Sequence, residues 1–190
     1  QRLSGREDPI VDLASGRCGL VEELARRLAR PIVASDFSPR VLRRDRRWLE
    51  AFGLYEQVSL LCFDARRTPF RDGAVATMTT YLGLPNIERP AGLLRELRRI
   101  VGGELLAITH FYPEQDWANA AAIRQHGLEP LLFRRSALAL LAAAGFQVEL
   151  ENLQVGRALP TPHSTLIEGA GIDALPVTET DLEWYLLAAR

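Results

Sequence analysis

The sequence predicts an α/β domain in which a mostly parallel sheet is covered by helices on both faces. Three observations carry this reading. Short apolar strand runs alternate with amphipathic helical runs through most of the chain. The early strand runs are apolar enough to be buried on both sides, as parallel strands are. The last two strand runs have no helical run between them, so they read as an antiparallel edge pair.

Taken in order, residues 1–9 are a polar lead-in. Residues 10–14 (IVDLA) read as a buried strand ending at Ser15 and Gly16. Leu20, Val21, Leu24 and Leu28 then fall on one helical face, and Pro31 stops that helix. Residues 32–36 are the second strand. Ser38 before Pro39 marks a helix start, because serine caps and proline suits the first helical position, and this helix reaches to about Gly53. Strands follow at 58–63 and 75–81. The next helix opens at Pro90 and carries Leu93, Leu94, Leu97, Ile100 and Val101, with Gly102 and Gly103 expected to end it. Residues 104–111 form the fifth strand. Ser136 is expected to cap an alanine- and leucine-rich helix ending at Gly145. A sixth strand is expected at 146–155, a long Gly/Pro-containing stretch from 156 to about 180, and a last strand at 182–188.

The 190 residues fit one domain at ~150 residues per domain. With 47% apolar and 25% charged residues the chain has a globular composition. A net charge of −1 argues against an electrostatic grip on nucleic acid or an anionic membrane. Two cysteines, Cys18 and Cys62, make no disulfide framework, and both read as small buried residues. Three scattered histidines suggest no metal cluster. No apolar run is long enough to span a membrane, and no secretory leader is visible, so the expected location is cytoplasmic. All 23 basic residues are arginine, as GC-rich coding favours, which excludes chemistry that needs a lysine. Met78 is the only methionine, so the sequence is expected to be a fragment or a processed form.

Ligands of open α/β sheets bind at the carboxyl ends of the strands. The first strand-to-helix turn here, residues 12–19 (DLASGRCG), carries small residues at 14, 16 and 19, where a ligand could approach the backbone. Asp36 ends the second strand, where a ribose diol is usually gripped. Together these point to a nucleoside cofactor. Two readings of the turn compete. Ala14-x-Gly16-x-x-Gly19 is one substitution from the dinucleotide fingerprint of NAD(P)-dependent oxidoreductases. Asp12, however, is badly placed beside a pyrophosphate and well placed to attract a cationic amino-acid end.

Val11-Asp12-Leu13-Ala14-Ser15-Gly16-Arg17-Cys18-Gly19 resembles motif I of the class I S-adenosylmethionine-dependent methyltransferases. Ser35-Asp36-Phe37-Ser38 resembles their acidic end of strand two. Phe63-Asp64-Ala65, then Pro69-Phe70-Arg71-Asp72-Gly73, and the 94–105 segment are similar to the later motifs. The resemblance covers about 10–111 and falls in the type 11, ubiquinone-methyltransferase-like group. It implies a Rossmann-like, doubly wound seven-stranded sheet of order 3-2-1-4-5-7-6 with an antiparallel last strand. It also implies a single methyltransferase domain over 1–190, with N-terminal lid helices short or missing. By the same resemblance Asp12, Ala14, Ser15 and Gly16 would hold the methionine part of S-adenosylmethionine. Asp36 would grip the ribose, Phe37 the adenine face, and Asp64 with Ala65 the adenine amino group. Tyr81 would sit beside the methyl donor. The family's three alternate glycines are here Ala14, Gly16 and Cys18.

The expected reaction is in-line methyl transfer to a small-molecule acceptor, which needs mainly positioning and exclusion of water. If a base is needed, His110 and Tyr112 after the fifth strand are the catalytic candidates. Glu114, Trp117 and His163 are candidates for the substrate pocket. His110 could equally be a core histidine and Tyr81 a packing residue, while His126 reads as surface. The arginines at 40, 43, 44, 46 and 47 read as a solvated helix face. No Asn/Asp-Pro-Pro-aromatic motif follows strand four, where Tyr81-Leu82-Gly83-Leu84-Pro85-Asn86 stands, which argues against adenine-N6 or glutamine-amide methylation. The alternatives are a nicotinamide oxidoreductase and a degenerate methyltransferase fold acting as a binding subunit. Self-association into a homo-oligomer is left open.

Overall fold

The computed structural model describes residues 2–3, 5–160, 162 and 171–190, and among these seven strands and six α-helices follow one another. The elements are β1 (Ile10–Leu13), α1 (Gly19–Arg27), β2 (Ile32–Asp36), α2 (Pro39–Ala51), β3 (Val58–Cys62), β4 (Val75–Tyr81) and α3 (Pro90–Ile100). They continue as β5 (Val101–Phe111), α4 (Trp117–Gln125), α5 (Glu129–Leu132), α6 (Arg134–Ala143), β6 (Val148–Ala158) and β7 (Thr180–Ala189). The sheet order is β3-β2-β1-β4-β5-β7-β6, as expected. β1 to β5 pair in parallel, whereas β7 runs antiparallel to both β5 and β6. β6 therefore points the same way as β1–β5, and the chain leaving it emerges on the edge where those strands end.

The core follows from strand alternation. Along β1, Ile10 joins Val21, Leu24 and Ala25 of α1 in one cluster, while Val11 and Leu13 join Leu93, Leu94, Leu97 and Ile100 of α3 on the opposite face. Ser38 caps α2 by accepting from the Val41 amide at 3.4 Å, with Pro39 in the first turn as expected.

Several sequence expectations are corrected. Gly102 and Gly103 do not end α3; they lie inside β5. A Cβ on Gly103 would sit 2.1 Å from the Ala76 carbonyl oxygen, and one on Gly102 would sit 2.5 Å from that of Gly73. The pair is there for close approach to the chain of β4 and the turn before it. Ser136 lies within α6, which starts at Arg134 without a side-chain cap. The stretch after β5, read only as a source of site residues, contains α4 and α5. Asp116 caps α4, accepting from the Asn119 amide at 3.3 Å. Cys18 is buried as expected, but Cys62 is exposed.

Candidate cofactor site

The carboxyl ends of β1, β2 and β3 border a cavity of about 440 Å³. Its walls are Leu13, Ala14, Ser35, Asp36, Phe37, Phe63, Asp64, Ala65, Arg66, Asn86, Ile87 and Glu88. Strand ends and the loops after them supply every one of these residues, so the parallel sheet itself brings them together.

The 12–19 turn is tied to its neighbours at several points. The Ser15 amide and hydroxyl both donate to the Ser35 carbonyl, each at 2.8 Å. Ser35 Oγ donates to the Asp12 carbonyl at 2.7 Å, and Thr80 Oγ1 to that of Leu13 at 2.8 Å. Ala14, Gly16 and Cys18 all have positive φ, at 53°, 52° and 66°. Left-handed backbone thus recurs at 14, 16 and 18, although two of these positions carry side chains. Gly83 presses on this turn from behind: a Cβ there would sit 2.9 Å from that of Ala14 and 2.5 Å from Thr80 Oγ1.

Asp36 is half-buried at the cavity wall. Its Oδ2 accepts from the Gly16 amide at 3.2 Å and its Oδ1 from the Ser38 amide at 2.8 Å. A carboxylate aimed by two backbone donors retains lone pairs for a ligand's hydroxyls. Phe37 is 73% exposed at the same wall, an aromatic face with little protein over it. Ala65 is buried in the wall. Asp64 is gripped by Arg66, whose Nη2 and Nε lie 2.8 and 3.0 Å from its two oxygens and whose amide donates at 2.9 Å. Those contacts hold the Asp64 carboxyl below its ordinary range.

Asp12 lies beneath the turn and does not line the cavity. It is fully buried, accepts from Thr79 Oγ1 at 2.7 Å, and burial pushes its pKa up to about 7 despite that hydrogen bond. Cys18 is buried in the α1 cluster, so its thiol does not crowd the cavity. Burial, with Asp45 and Asp12 nearby, raises it to about 12.

The remaining candidates spread along the sheet edge. Tyr81, half exposed at the end of β4, stacks on Trp184 of β7 at 6.4 Å between ring centroids. His110 is buried against Trp184 at 4.7 Å and Tyr112 at 5.4 Å. Neither of its ring nitrogens has a partner, and burial lowers its pKa to about 4. Tyr112 packs with Ile123, Leu132 and Leu182, and burial raises its phenol above the usual range. Glu114 belongs to a second cavity, with Arg134, Arg135, Asp181 and Glu183, that shares no wall residue with the first. Trp117 opens α4 and is 82% exposed, outside both cavities. His163 lies outside the described residues. His126 is exposed. No group of His, Cys, Asp and Glu among the described residues could hold a metal, and no described helix is long and apolar enough to cross a membrane.

Sequence reasoning did not single out Arg66, Asn86, Ile87, Glu88 or Thr79. Only Thr79 left a signal: it pairs with Asp12 in register across two adjacent strands, so it sits on the same sheet face.

Comparison with known proteins supports the fold. A methyltransferase-domain family model matches residues 10–102. The demethylmenaquinone methyltransferase of Corynebacterium urealyticum is 36% identical over 106 residues, covering 55% of this chain and 42% of that protein. The ubiquinone/menaquinone biosynthesis C-methyltransferase UbiE of Proteus mirabilis is 29% identical over 115 residues, covering 58% and 46%. The chain therefore spans less than half the length of these relatives in the matched region. The structure of geranyl diphosphate C-methyltransferase from Streptomyces coelicolor, in complex with S-adenosyl-L-homocysteine, aligns at a TM-score of 0.64 with 18% identity. That alignment covers 97% of this chain and 75% of the other. Over residues 10–102, just under half of the chain, the sequence is similar to a methyltransferase domain.

Proposed function

We propose that the chain binds S-adenosylmethionine in the Asp36 cavity and directs its methyl group to a small-molecule acceptor. The observation that carries this is Asp36, held at the end of β2 by the Gly16 and Ser38 amides and turned to the cavity wall. That carboxylate suits a ribose diol, and the exposed Phe37 ring suits one face of an adenine. Asp64 would accept from the adenine amino group, with Ala65 beside it, once Arg66 shares or yields the carboxylate. Ala14, Ser15 and Gly16 would carry the methionine part along the turn, and buried Asp12 would act from beneath them, through its charge once the pH exceeds about 7.

When bound, S-adenosylmethionine supplies an electrophilic methyl group on sulfur. The protein's own part is to hold the two reactants in line and keep water away. Tyr81 and Trp184 present a stacked aromatic wall at the end of β4, suited to a planar acceptor. His110, neutral and with both nitrogens unpartnered, supplies a hydrogen-bonding group under that wall. At a pKa of about 4 it orients a hydroxyl rather than removing its proton unaided. Tyr112 backs His110 through its ring. The relatives named for menaquinone and ubiquinone synthesis make a quinone-type ring the first acceptor to try.

The test is calorimetric titration with S-adenosylhomocysteine, with NAD as control. Binding of S-adenosylhomocysteine alone is expected, and Asp36→Ala should lower its affinity at least ~10-fold, the loss of about 1.4 kcal/mol of hydrogen bonding. Unchanged affinity in a folded Asp36→Ala protein would remove the ribose assignment. Uptake of NAD instead would favour the oxidoreductase reading of the same turn.

A further inference from the structure

Gly16 stands at the crest of the 12–19 turn, and both of its backbone groups are tied to the α2 side of the molecule. Its amide donates to Asp36, two residues before the cap of α2. Its carbonyl accepts from Nη2 of Arg44, on α2 itself. The same guanidinium donates to Asp45 Oδ1, from Nη2 at 2.8 Å and from Nε at 3.2 Å. Asp45 is completely buried, and its Oδ2 has no partner. An exposed arginine is thus anchored by a buried carboxylate one residue away and reaches over to the turn.

The turn needs such an anchor. Ala14 and Cys18 hold the left-handed backbone that glycine adopts freely and that disfavours a residue with a side chain. A strained turn relaxes unless its surroundings over-determine it. The ties from Ser15 and Thr80 fix the β1 end of the turn, leaving Gly16 as the point held from the far side.

We propose that Arg44, anchored by Asp45, is a positioning residue that clasps the Gly16 carbonyl and holds the turn in the shape that receives the methionine part of the cofactor. The cofactor half of this rests on the function proposed above; the clasp itself does not. The cap residue of α2 then holds the ribose carboxylate, and a side chain of the same helix holds the crest of the turn. Asp45 confers rigidity on the arginine, and the arginine compensates a charge that would be costly to bury alone.

The test compares Arg44→Ala, Arg44→Lys and the double variant Arg44→Ala/Asp45→Leu with the unaltered protein. Removing Arg44 alone leaves Asp45 buried and unpaired, so lost affinity could follow from lost stability. The double variant removes that charge as well and leaves only the clasp missing. Two readouts are taken: amide hydrogen exchange at 16–19 without ligand, and titration with S-adenosylhomocysteine. Expected are faster exchange and about tenfold weaker binding in both alanine variants, with Arg44→Lys recovering most of each. A double variant with unaltered exchange and affinity overturns the proposal, because Arg44 would then serve only to neutralise Asp45. Unaltered protein that takes up no S-adenosylhomocysteine overturns the cofactor half, and the exchange readout then decides the clasp on its own.

Discussion

Cys18 shows how one residue can satisfy two opposed demands. Its backbone is left-handed, which costs a residue with a side chain of order 1 kcal/mol, while its thiol fills the core beneath α1. Glycine there would relieve the strain, lose a small buried group, and add freedom to the unfolded chain. These effects nearly cancel. Cys18→Gly is expected to change stability by less than about 1 kcal/mol in urea unfolding. Cys18→Val should cost more than ~2 kcal/mol, because a β-branched residue is a poor fit to positive φ. Equal stability of the two variants would show that the backbone at 18 is free to change.

At the scale of elements, the junction of α3 and β5 decides how closely β4 and β5 approach. Helix α3 gives its apolar face to the sheet, and Leu93, Leu94, Leu97 and Ile100 are all fully buried. The chain then turns straight into β5 through two glycines that have no room for a side chain. Gly103→Ala should lower stability by roughly 2 kcal/mol, the cost of overpacking against the Ala76 backbone. Gly92 lies inside α3, where a methyl group would meet nothing within 4 Å, and gives the opposite sign. Gly92→Ala should raise stability by about 0.5–1 kcal/mol through helix propensity. Thermal unfolding of the two single variants reads both, and a stable Gly103→Ala protein would mean that β4 and β5 can part at little cost.

Across the whole molecule, two buried groups titrate with opposite sign. Burial lowers His110 from 6.5 to about 4. Between those pH values the unfolded chain holds the extra proton, so this group makes stability rise with pH and lose ground as pH falls toward 4. Burial, with the Thr79 hydrogen bond opposing and Asp45 adding, raises Asp12 from 3.8 to about 7. Over that window the folded chain holds the extra proton, so this group makes stability fall as pH rises. The two slopes oppose each other through most of the acid range. Removing one should therefore expose the other. Relative to the unaltered protein, His110→Phe should gain up to roughly 3 kcal/mol as pH drops from 6.5 to 4. Asp12→Asn should gain a similar amount as pH rises from 4 to 7. Urea unfolding at several pH values checks both, and curves parallel to that of the unaltered protein would show that neither group is coupled to folding.

With Asp64 supplied only by the resemblance, the sequence by itself determined the alternation of strands and helices, the early strand ends, and the positions of Asp12 and Asp36. These are local signals: apolar periodicity, a Ser-Pro helix start, and carboxylates placed where strands stop. The sheet order followed from a resemblance and was borne out. Tertiary structure decided the rest. Gly102 and Gly103 look like a helix terminus along the chain, and only the neighbouring strand shows that they make room for its backbone. Helix α4 carries only a weak apolar stripe, and its buried Ala120 and Ile123 pack in one cluster with Tyr112, just after β5. Arg44 reads as part of a solvated helix face and Arg66 gives no signal, yet one reaches Gly16 across 28 residues and the other grips Asp64 two residues away. Asp12 looks like a wall residue and lies under the wall, because alternation along β1 turns its side chain into the sheet face covered by α1. Periodicity tells which residues leave the water; only the folded chain tells which of them meet.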